Sequence, residues 1–196
     1  MREAPHRPDL ILPEAEAAAL RHAYTGADVV LEYGSGGSTV MAAELGAEVW
    51  AVESDAAWAA GLRSWFAANP TPGQAHVLHA DIGPTRRWGH PVDETRFRDW
   101  PDYPLSVWEQ PAFRHPDVVL VDGRFRLACF LTVAFRIARQ VTLFFDDYRL
   151  RKTYHAAETL LPPVEMIGRM ARFDLSPTPL TPDRLRLFAR ALLSPV

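Results

Sequence analysis

The feature that most constrains this chain is an apolar run that passes directly into a glycine-rich turn. Residues 29–31 are apolar and mostly β-branched, as expected of a strand that is covered on both faces. Gly34, Gly36 and Gly37 follow, and they allow backbone conformations and a close ligand approach that other residues prevent. Residues 38–39 then begin a helix whose free N–H groups point back at the turn. The pattern predicts a ligand site at the carboxyl end of a parallel strand.

A second predicted strand, residues 48–53, ends in an acid that stands roughly 20 residues beyond the glycine turn. The Glu53 carboxylate at this strand end can accept two hydrogen bonds from a ribose diol, which is its functional interpretation. The alternative is a solvated acid that stabilises the N-terminus of the next helix. Both interpretations stay open on the sequence alone.

Strands and helices alternate along most of the chain, which predicts an α/β fold with a doubly wound, mostly parallel sheet and helices on both faces. We expect a single domain over residues 1–196. The last two strands have no helix between them, so they should pair antiparallel at one edge of the sheet. The later predicted strands are 75–80, 117–123, 141–145, 164–173 and 185–192, and the predicted helices are 13–24, 38–45, 54–69, 125–139 and 150–160.

The alternation stops over residues 84–116, where no periodic element is clear. Long irregular segments inside a compact domain are usually functional or disordered. This one contains Trp88, Trp100, Tyr103 and Trp108, and such aromatic content argues against disorder. We therefore expect an insertion that forms a lid over the ligand site. The alternative is an insertion whose tryptophans pack on the domain surface for stability only.

Composition excludes several other classes of protein. The net charge is −3, so no basic field favours a nucleic-acid partner. No segment approaches the roughly 18 apolar residues of a membrane span, and the acidic, proline-containing N-terminus is unlike a secretory signal. The single cysteine, Cys129, excludes a disulfide framework and is expected to be a small buried residue. We expect a cytoplasmic protein with a small-molecule partner, and exposed lid aromatics are compatible with a homodimer.

Taken together, these motifs resemble those of the class I S-adenosylmethionine-dependent methyltransferases, over nearly the whole chain. Residues 32–36, Glu-Tyr-Gly-Ser-Gly, look like the acidic, glycine-rich first motif of that family. Glu53 matches its ribose-binding acid, and Asp81 with Ile82 matches the positions that contact the adenine. The resemblance implies the strand order 3-2-1-4-5-7-6, with strand 7 antiparallel, and S-adenosylmethionine as the cofactor. The cofactor-binding residues that it implies are Glu32, Tyr33, Gly34, Ser35, Gly36, Ser38, Glu53, Ser54, Asp81, Ile82 and Asp122.

Two later strand ends narrow the resemblance to small-molecule O-methyltransferases. Val-Asp-Gly at residues 121–123 and Phe-Asp-Asp-Tyr at residues 145–148 are similar to motifs of that branch. The resemblance implies that Asp122, Asp146 and Asp147 lie near the reacting centre, and some relatives hold a divalent metal with such acids. Three carboxylates suit Mg²⁺, which would lower the pKa of a substrate hydroxyl. The alternative is that these acids only cap the helices that follow them.

The sequence departs from that branch directly after the Asp-Gly pair. Arg-Phe-Arg at residues 124–126 stands where the branch carries a histidine. Arg124 or Arg126 could pair with the aspartates and make a metal unnecessary, or could clamp an anionic substrate. His90 and His115, in and beside the predicted lid, are further candidates for a catalytic base.

The sequence therefore predicts an S-adenosylmethionine-dependent methyltransferase that acts on a small-molecule acceptor, at oxygen. Two other classes stay open. One is a catalytically inactive module that binds S-adenosylmethionine or a nucleotide, an alternative motivated by Arg124 and by the irregular segment. The other is an NAD-dependent oxidoreductase, because the glycine turn and the ribose acid are shared with that class. Against it, Thr39 occupies the third-glycine position of the dinucleotide fingerprint.

Overall fold

The computed structural model describes residues 6–196, which contain a seven-stranded mixed sheet. Its strands lie in the order β3-β2-β1-β4-β5-β7-β6, and β7 alone runs antiparallel to the other six. This arrangement confirms the predicted fold class and strand order. The strands are β1 Val29–Tyr33, β2 Glu48–Glu53, β3 Ala75–His79, β4 Val118–Val121, β5 Val141–Phe145, β6 Glu165–Ile167 and β7 Met170–Leu175.

Helices cover both faces of the sheet, as predicted. On one face, α5 contributes Phe130 to a core that also holds Phe145 and Phe173 from the strands. On the other face, the core contains Leu20 from α1 and Met41 from α2. The helices are α1 Glu14–Thr25, α2 Gly37–Glu44, α3 Ala56–Ala68, α4 Asp102–Leu105, α5 Arg126–Arg136 and α6 Pro182–Ala191.

The register of the parallel strands brings four strand ends to one edge of the sheet. Tyr33 pairs with Val52 on one side and with Val121 on the other, and Val121 pairs with Phe145. Because parallel strands all point the same way, the residues after these positions share one edge. The residues that immediately follow are Gly34, Glu53, Asp122 and Asp146.

The antiparallel edge is built from a different part of the chain than predicted. Residues 164–173 were expected to form one strand, but Gly168, at φ +55°, and Arg169 turn the chain so that β6 and β7 form a hairpin. A Cβ atom on Gly168 would overlap the Glu16 carboxylate, whose Oε1 accepts a hydrogen bond from the Arg169 N–H at 2.8 Å. The turn is therefore fixed by contact with α1.

The predicted final strand, residues 185–192, is wrong, because these residues lie in and just after α6. Pro182 occupies the first turn of this helix, where its missing N–H has no cost, and Asp183 suits the positive N-terminus. Leu185, Phe188 and Leu192 recur at helical spacing, and Phe188 packs edge-on against Phe135 of α5. The predicted helix at residues 150–160 is a 3₁₀ helix, Lys152–Thr159.

Helix α5 is buried on more sides than its apolar stripe indicates. Thr132, a polar residue outside this stripe, is buried, because α5 packs against α4 and α6 as well as the sheet. The helix also ends at Arg136, three residues earlier than predicted, where Ile137 adopts an extended conformation.

The segment 84–116 consists of two structurally different parts. The first part contains a two-stranded ribbon, Thr85–Arg86 with His90–Pro91, and Trp88 at its tip is 64% exposed. In the second part, Trp100 and Tyr103 belong to the main hydrophobic core. The segment is therefore partly core and partly surface, and the function of the ribbon as a lid stays a prediction. Within residues 6–196, no helix is long and apolar enough to cross a membrane.

Candidate functional site

A cleft of about 1250 Å³ opens at the edge of the sheet where the ends of β1, β2, β4 and β5 meet. The ribbon tip and residues 6–12 supply walls of the cleft. Of the residues predicted to bind a cofactor or act in catalysis, those that line the cleft are Gly34, Ser35, Gly36, Ser38, Glu53, Ser54, Asp122, Asp146 and Asp147.

The glycine turn after β1 is open toward the cleft. Gly34 has φ +105°, and a Cβ atom there would lie 2.9 Å from the Gly123 nitrogen, so the ends of β1 and β4 approach closely. By contrast, a Cβ atom on Gly36 would meet only Trp58, at 3.9 Å. The turn therefore combines a conformation that requires glycine with free space above it.

The side chains of Glu32 and Tyr33 are buried and do not line the cleft, and a cofactor contact of either residue stays a prediction. Glu32 is fully buried and accepts a hydrogen bond from the Tyr24 hydroxyl at 2.7 Å and another from Thr39 Oγ1. Thr39 Oγ1 in turn accepts the Gly36 N–H at 2.9 Å. Burial raises the pKa of Glu32 to about 7. Glu32 thus supports the glycine turn from beneath.

Tyr33 points into the core on the face that carries α4. Its hydroxyl donates to the Pro104 carbonyl at 2.8 Å and accepts the Trp108 Nε1–H at 2.8 Å. This Tyr33 side chain is fully buried, so any contact of Tyr33 with a ligand is limited to its backbone.

Glu53 lies at the cleft wall and is only 8% exposed, so it is not a solvated surface acid. Its Oε1 accepts the N–H groups of Ser54 and Asp55 at 2.8 and 2.9 Å, and its Oε2 accepts the Ser35 hydroxyl at 2.9 Å. Burial raises the pKa of Glu53, while these hydrogen bonds oppose the shift. The Oε1 atom is therefore fixed by backbone N–H groups, whereas Oε2 is bound to a serine hydroxyl that a ligand hydroxyl could replace.

Asp81 and Ile82 are not among the residues that line the cleft, and their contact with an adenine stays a prediction. Asp81 is exposed, accepts the Gly83 N–H at 3.1 Å and pairs with Arg96 at 3.3 Å. Ile82 is buried.

Three tryptophans line the cleft, Trp58, Trp65 and Trp88, and of these only Trp88 belongs to the segment that was predicted to form a lid. The helical spacing of Trp58 in α3 predicts packing against the sheet, but Trp58 is 47% exposed and its Nε1–H donates to the Ser35 carbonyl at 2.9 Å. Trp88 lies next to Gly89, whose carbonyl accepts the Ser54 hydroxyl at 2.8 Å. An amphipathic pattern could not reveal Trp58, because an aromatic residue at helical spacing predicts core packing.

Asp122, Asp146 and Asp147 converge at the floor of the cleft, as the neighbouring strands predicted, and arginines hold them. Arg126 pairs with Asp122 at 3.0 Å and with Asp147 at 3.4 Å. Its guanidinium also donates to the backbone carbonyls of Asp122, Gly123 and Asp146. Arg126 therefore ties the ends of β4 and β5 together.

Asp146 and Asp147 have further arginine partners from outside these strands. Arg169 of the β6–β7 turn binds Asp146 through two hydrogen bonds, at 2.9 and 2.7 Å, and lies 3.3 Å from Asp147. Arg151 pairs with Asp147 at 3.2 Å. Three guanidinium groups thus neutralise the three carboxylates.

This arrangement does not fit a divalent metal, which the resemblance had raised as an option. Among residues 6–196, no three His, Cys, Asp or Glu side chains are placed to hold a metal ion. The carboxylate oxygens that Mg²⁺ would use already accept from Arg126 and Arg169, and a dication would add to the guanidinium charges there.

The same neighbours give the aspartates different pKa values. Partial burial of Asp122, whose side chain is 37% exposed, and the nearby Asp146 raise its pKa to about 7, although Arg126 opposes the shift. Burial alone would raise the pKa of Asp146 as well, but the two hydrogen bonds from Arg169 lower it. Of Asp122 and Asp146, Asp122 is therefore the one whose charge changes near neutral pH.

The two candidate histidines are far from equivalent. His90, in the ribbon, lines the cleft. The Nε2 of His115 accepts the Ala138 N–H at 3.0 Å, and His115 does not line the cleft. His115 is therefore a structural residue, whereas His90 keeps its place near the site.

Comparison with solved structures identifies relatives of this fold. The chain is 54% identical to a methyltransferase-like protein from Silicibacter pomeroyi, with a TM-score of 0.93 over 96% of this chain and 99% of that one. A methyltransferase from Geobacter sulfurreducens is 11% identical, with a TM-score of 0.54 over 83% of this chain and 80% of that one. No protein-family model and no curated protein matches the sequence.

A third solved structure is the tomaymycin-synthesis O-methyltransferase of Streptomyces achromogenes, in complex with S-adenosylmethionine. It is 16% identical, with a TM-score of 0.50 over 93% of this chain and 70% of that one. This likeness and that to the Geobacter enzyme concern the fold alone. The likeness to the Silicibacter protein extends over nearly all of both chains. The chain belongs to the class I S-adenosylmethionine-dependent methyltransferases.

Proposed function

We propose that this protein binds S-adenosylmethionine in the cleft and transfers its methyl group to an oxygen atom of a small-molecule acceptor. One observation carries the proposal. The open glycine turn, the acid Glu53 and the near-neutral acid Asp122 line a single cleft at the carboxyl edge of the sheet. This is the place where open α/β sheets bind nucleotide-like ligands.

The cofactor would lie across the ends of β1 and β2. Its methionine part would pass over the turn at residues 34–36, where Gly36 leaves space. Its ribose would bind Glu53, whose Oε2 already accepts a hydroxyl, that of Ser35. The adenine would lie by Trp58, an exposed aromatic surface on the same wall. Ser38 and Ser54 complete this proposed set.

The acceptor would lie over the ends of β4 and β5. Because the methyl donor is an activated sulfonium, the protein must mainly position the acceptor and remove its proton. Asp122, with a pKa of about 7, suits the removal of a hydroxyl proton near neutral pH. Asp146 and Asp147 would act as positioning residues, because their carboxylates hold Arg126, Arg151 and Arg169.

Isothermal titration calorimetry with S-adenosylmethionine, S-adenosylhomocysteine and NAD tests the cofactor assignment. We expect micromolar binding of the first two and none of NAD. Glu53→Ala should weaken S-adenosylhomocysteine binding by about tenfold or more, because the ribose hydroxyls lose their hydrogen bonds to the buried carboxylate. Asp81→Asn is the matched control, and its affinity should stay within about twofold of the wild type.

Equal losses in Glu53→Ala and Asp81→Asn would contradict this placement and would put the adenine against Asp81, as the resemblance implied. Binding of NAD alone would contradict the methyl donor and favour the oxidoreductase alternative. Tight S-adenosylhomocysteine binding, with no conversion of S-adenosylmethionine across phenols, carboxylic acids and amines, would favour the inactive binding module.

A further inference from the structure

Arg124 differs from the other arginines at the floor of the cleft. Arg126, Arg151 and Arg169 each pair with at least one aspartate. The Arg124 side chain lines the same cleft, yet within residues 6–196 no carboxylate lies within ion-pairing distance of it. Its Nε–H is buried and has no hydrogen-bond acceptor in this described part of the chain. A positive charge is therefore held in the site without a partner.

The backbone around Arg124 fixes this side chain on the cleft side. The Arg124 N–H donates to the Tyr103 hydroxyl at 3.3 Å, and the Arg124 carbonyl accepts from Cys129 Sγ at 3.4 Å. Phe125 then adopts a left-handed conformation, with φ +51°, and is fully buried. Because of this turn, Arg126 enters the interior while Arg124 remains at the cleft wall.

The surroundings of Arg124 are unfavourable for an unpaired cation. Burial lowers the pKa of Arg124, and the nearby charges of Arg126 and Arg151 lower it further. The remaining neighbours, Tyr103 and Tyr154, contribute phenol groups and no carboxylate. A partly desolvated cation next to other cations is costly unless an anion compensates it.

We propose that Arg124 is the binding site for a carboxylate that a ligand brings into the cleft. A guanidinium presents parallel N–H donors that match the two oxygens of a carboxylate. The inference deepens the proposed function, on which it rests for the location of the ligand. Two ligands could supply this group: the methyl donor, through the carboxylate of its methionine part, or an acidic acceptor.

Calorimetry with matched ligands distinguishes these sources. S-adenosylhomocysteine carries the carboxylate, whereas 5′-methylthioadenosine lacks it. If the donor supplies the carboxylate, Arg124→Gln should bind S-adenosylhomocysteine at least about tenfold more weakly and 5′-methylthioadenosine as the wild type does. If the acceptor supplies it, Arg124→Gln should bind each of the two adenosyl compounds with the affinity of the wild type. Benzoate should then bind the wild-type protein saturated with S-adenosylhomocysteine and fail to bind the variant.

Arg149→Gln is the control, because Arg149 is exposed and lies outside the cleft. A melting-temperature measurement separates ligand binding from a structural role. Arg124 has no carboxylate partner to lose, so Arg124→Gln should melt at the temperature of the wild type or above it. A structural arginine would instead lower the melting temperature when replaced.

The inference is overturned if Arg124→Gln binds S-adenosylhomocysteine as the wild type does and benzoate binds neither protein or both equally. It is also overturned if the variant melts lower and loses affinity for 5′-methylthioadenosine to the same degree. The proposed function fails separately, if the wild type binds neither adenosyl compound. In that case benzoate titrated into the free protein still tests Arg124: loss of its binding in Arg124→Gln supports the carboxylate site, and equal binding overturns it.

Discussion

Asp122 and Asp146 occupy equivalent ends of neighbouring strands, yet their arginine partners set them apart. Asp146 is buried and receives two hydrogen bonds from Arg169. Asp122 shares Arg126 with Asp147 and with three backbone carbonyls. A carboxylate that shares its cation gains less from ionising, so its pKa lies higher when a second carboxylate is close. The protonation state of each aspartate at the floor of the cleft is therefore set by its own arginine partners.

Asp122 should titrate near neutral pH. Burial and Asp146 raise its pKa to about 7, so the carboxyl is protonated well below pH 7 and charged well above it. Carbon-13 NMR of the aspartate carboxyl groups measures this directly. One resonance should have its midpoint near pH 7 and should be missing in Asp122→Asn, whereas Asp93→Asn, an exposed control, should retain it. Titration of every aspartate below pH 5 would contradict the assignment.

The ion pair between Asp146 and Arg169 should stabilise the fold far more than the ion pairs of Arg172, which lies in the same hairpin. Arg169→Ala leaves the buried Asp146 without its two hydrogen bonds, and we expect a loss of about 3 kcal/mol in the free energy of unfolding. Arg172→Ala breaks ion pairs with the more exposed Glu165 and Asp174, and it should cost less than about 1 kcal/mol. Urea denaturation compares the two, and equal losses would contradict the ranking.

At the scale of elements, the strands and helices that carry a clean period could be predicted from the sequence. The strands at residues 48–53 and 141–145 have the predicted bounds, because both are apolar runs that end at polar residues. The C-terminal region could not be assigned in this way. Its tight turn at Gly168 depends on a contact with Glu16, which is distant in sequence. The stretch of leucines in α6 alternates locally as a strand would, while Pro182 marks a helix start.

The positions of the site residues could be predicted where they follow from the strand order. Parallel strand ends bring Glu53 and Asp122 to one edge, so their convergence follows from the strand order alone. Which way a side chain turns at a strand end does not follow from it. The Arg124 side chain stays at the cleft wall and the Arg126 side chain enters the interior because of the left-handed backbone of Phe125, which the sequence pattern does not reveal.

Two glycines at helical positions should respond in opposite ways to alanine. Gly61 is exposed inside α3 and has free space around its Cα, so Gly61→Ala should raise the free energy of unfolding by about 0.5–1 kcal/mol. Gly37 begins α2, and a Cβ atom there would overlap the backbone of Asp9 and Leu10. Gly37→Ala should therefore lower stability by about 1–3 kcal/mol.

The same variants report on the wall formed by residues 6–12. In Gly37→Ala, displacement of this segment should open it to limited proteolysis, while Gly61→Ala should be cleaved as the wild type is. Equal melting temperatures and equal cleavage in the two variants would show that the N-terminal segment does not press on the start of α2.

At the scale of the whole molecule, the glycine turn of the site is held in place by a titratable side chain. Glu32 lies beneath the glycine turn, fully buried, and links α1 to α2 through Tyr24 and Thr39. Its pKa of about 7 in the folded chain exceeds the ordinary value of 4.5. The folded chain therefore binds a proton that the unfolded chain releases, and stability must fall as pH rises through this window.

The expected size of this effect follows from the pKa change. A rise from 4.5 to about 7 corresponds to about 3 kcal/mol of unfolding free energy, lost progressively between about pH 4.5 and 7 and constant above. Glu32→Gln has no such proton, so its stability relative to the wild type should increase by that amount over the same window. Comparing the two proteins by urea denaturation at each pH cancels the similar contribution of Asp122.

Glu44→Gln provides the control for this comparison. Glu44 is exposed, and its pairing with Arg7 lowers its pKa, so its contribution is already complete above the ordinary pKa of a glutamate. Its difference from the wild type should therefore stay constant between pH 5 and 8. If the difference for Glu32→Gln were constant too, the carboxyl beneath the turn would be ionised at all these pH values. The hydrogen bonds from Tyr24 and Thr39 would then outweigh its burial, and the turn would be insensitive to pH.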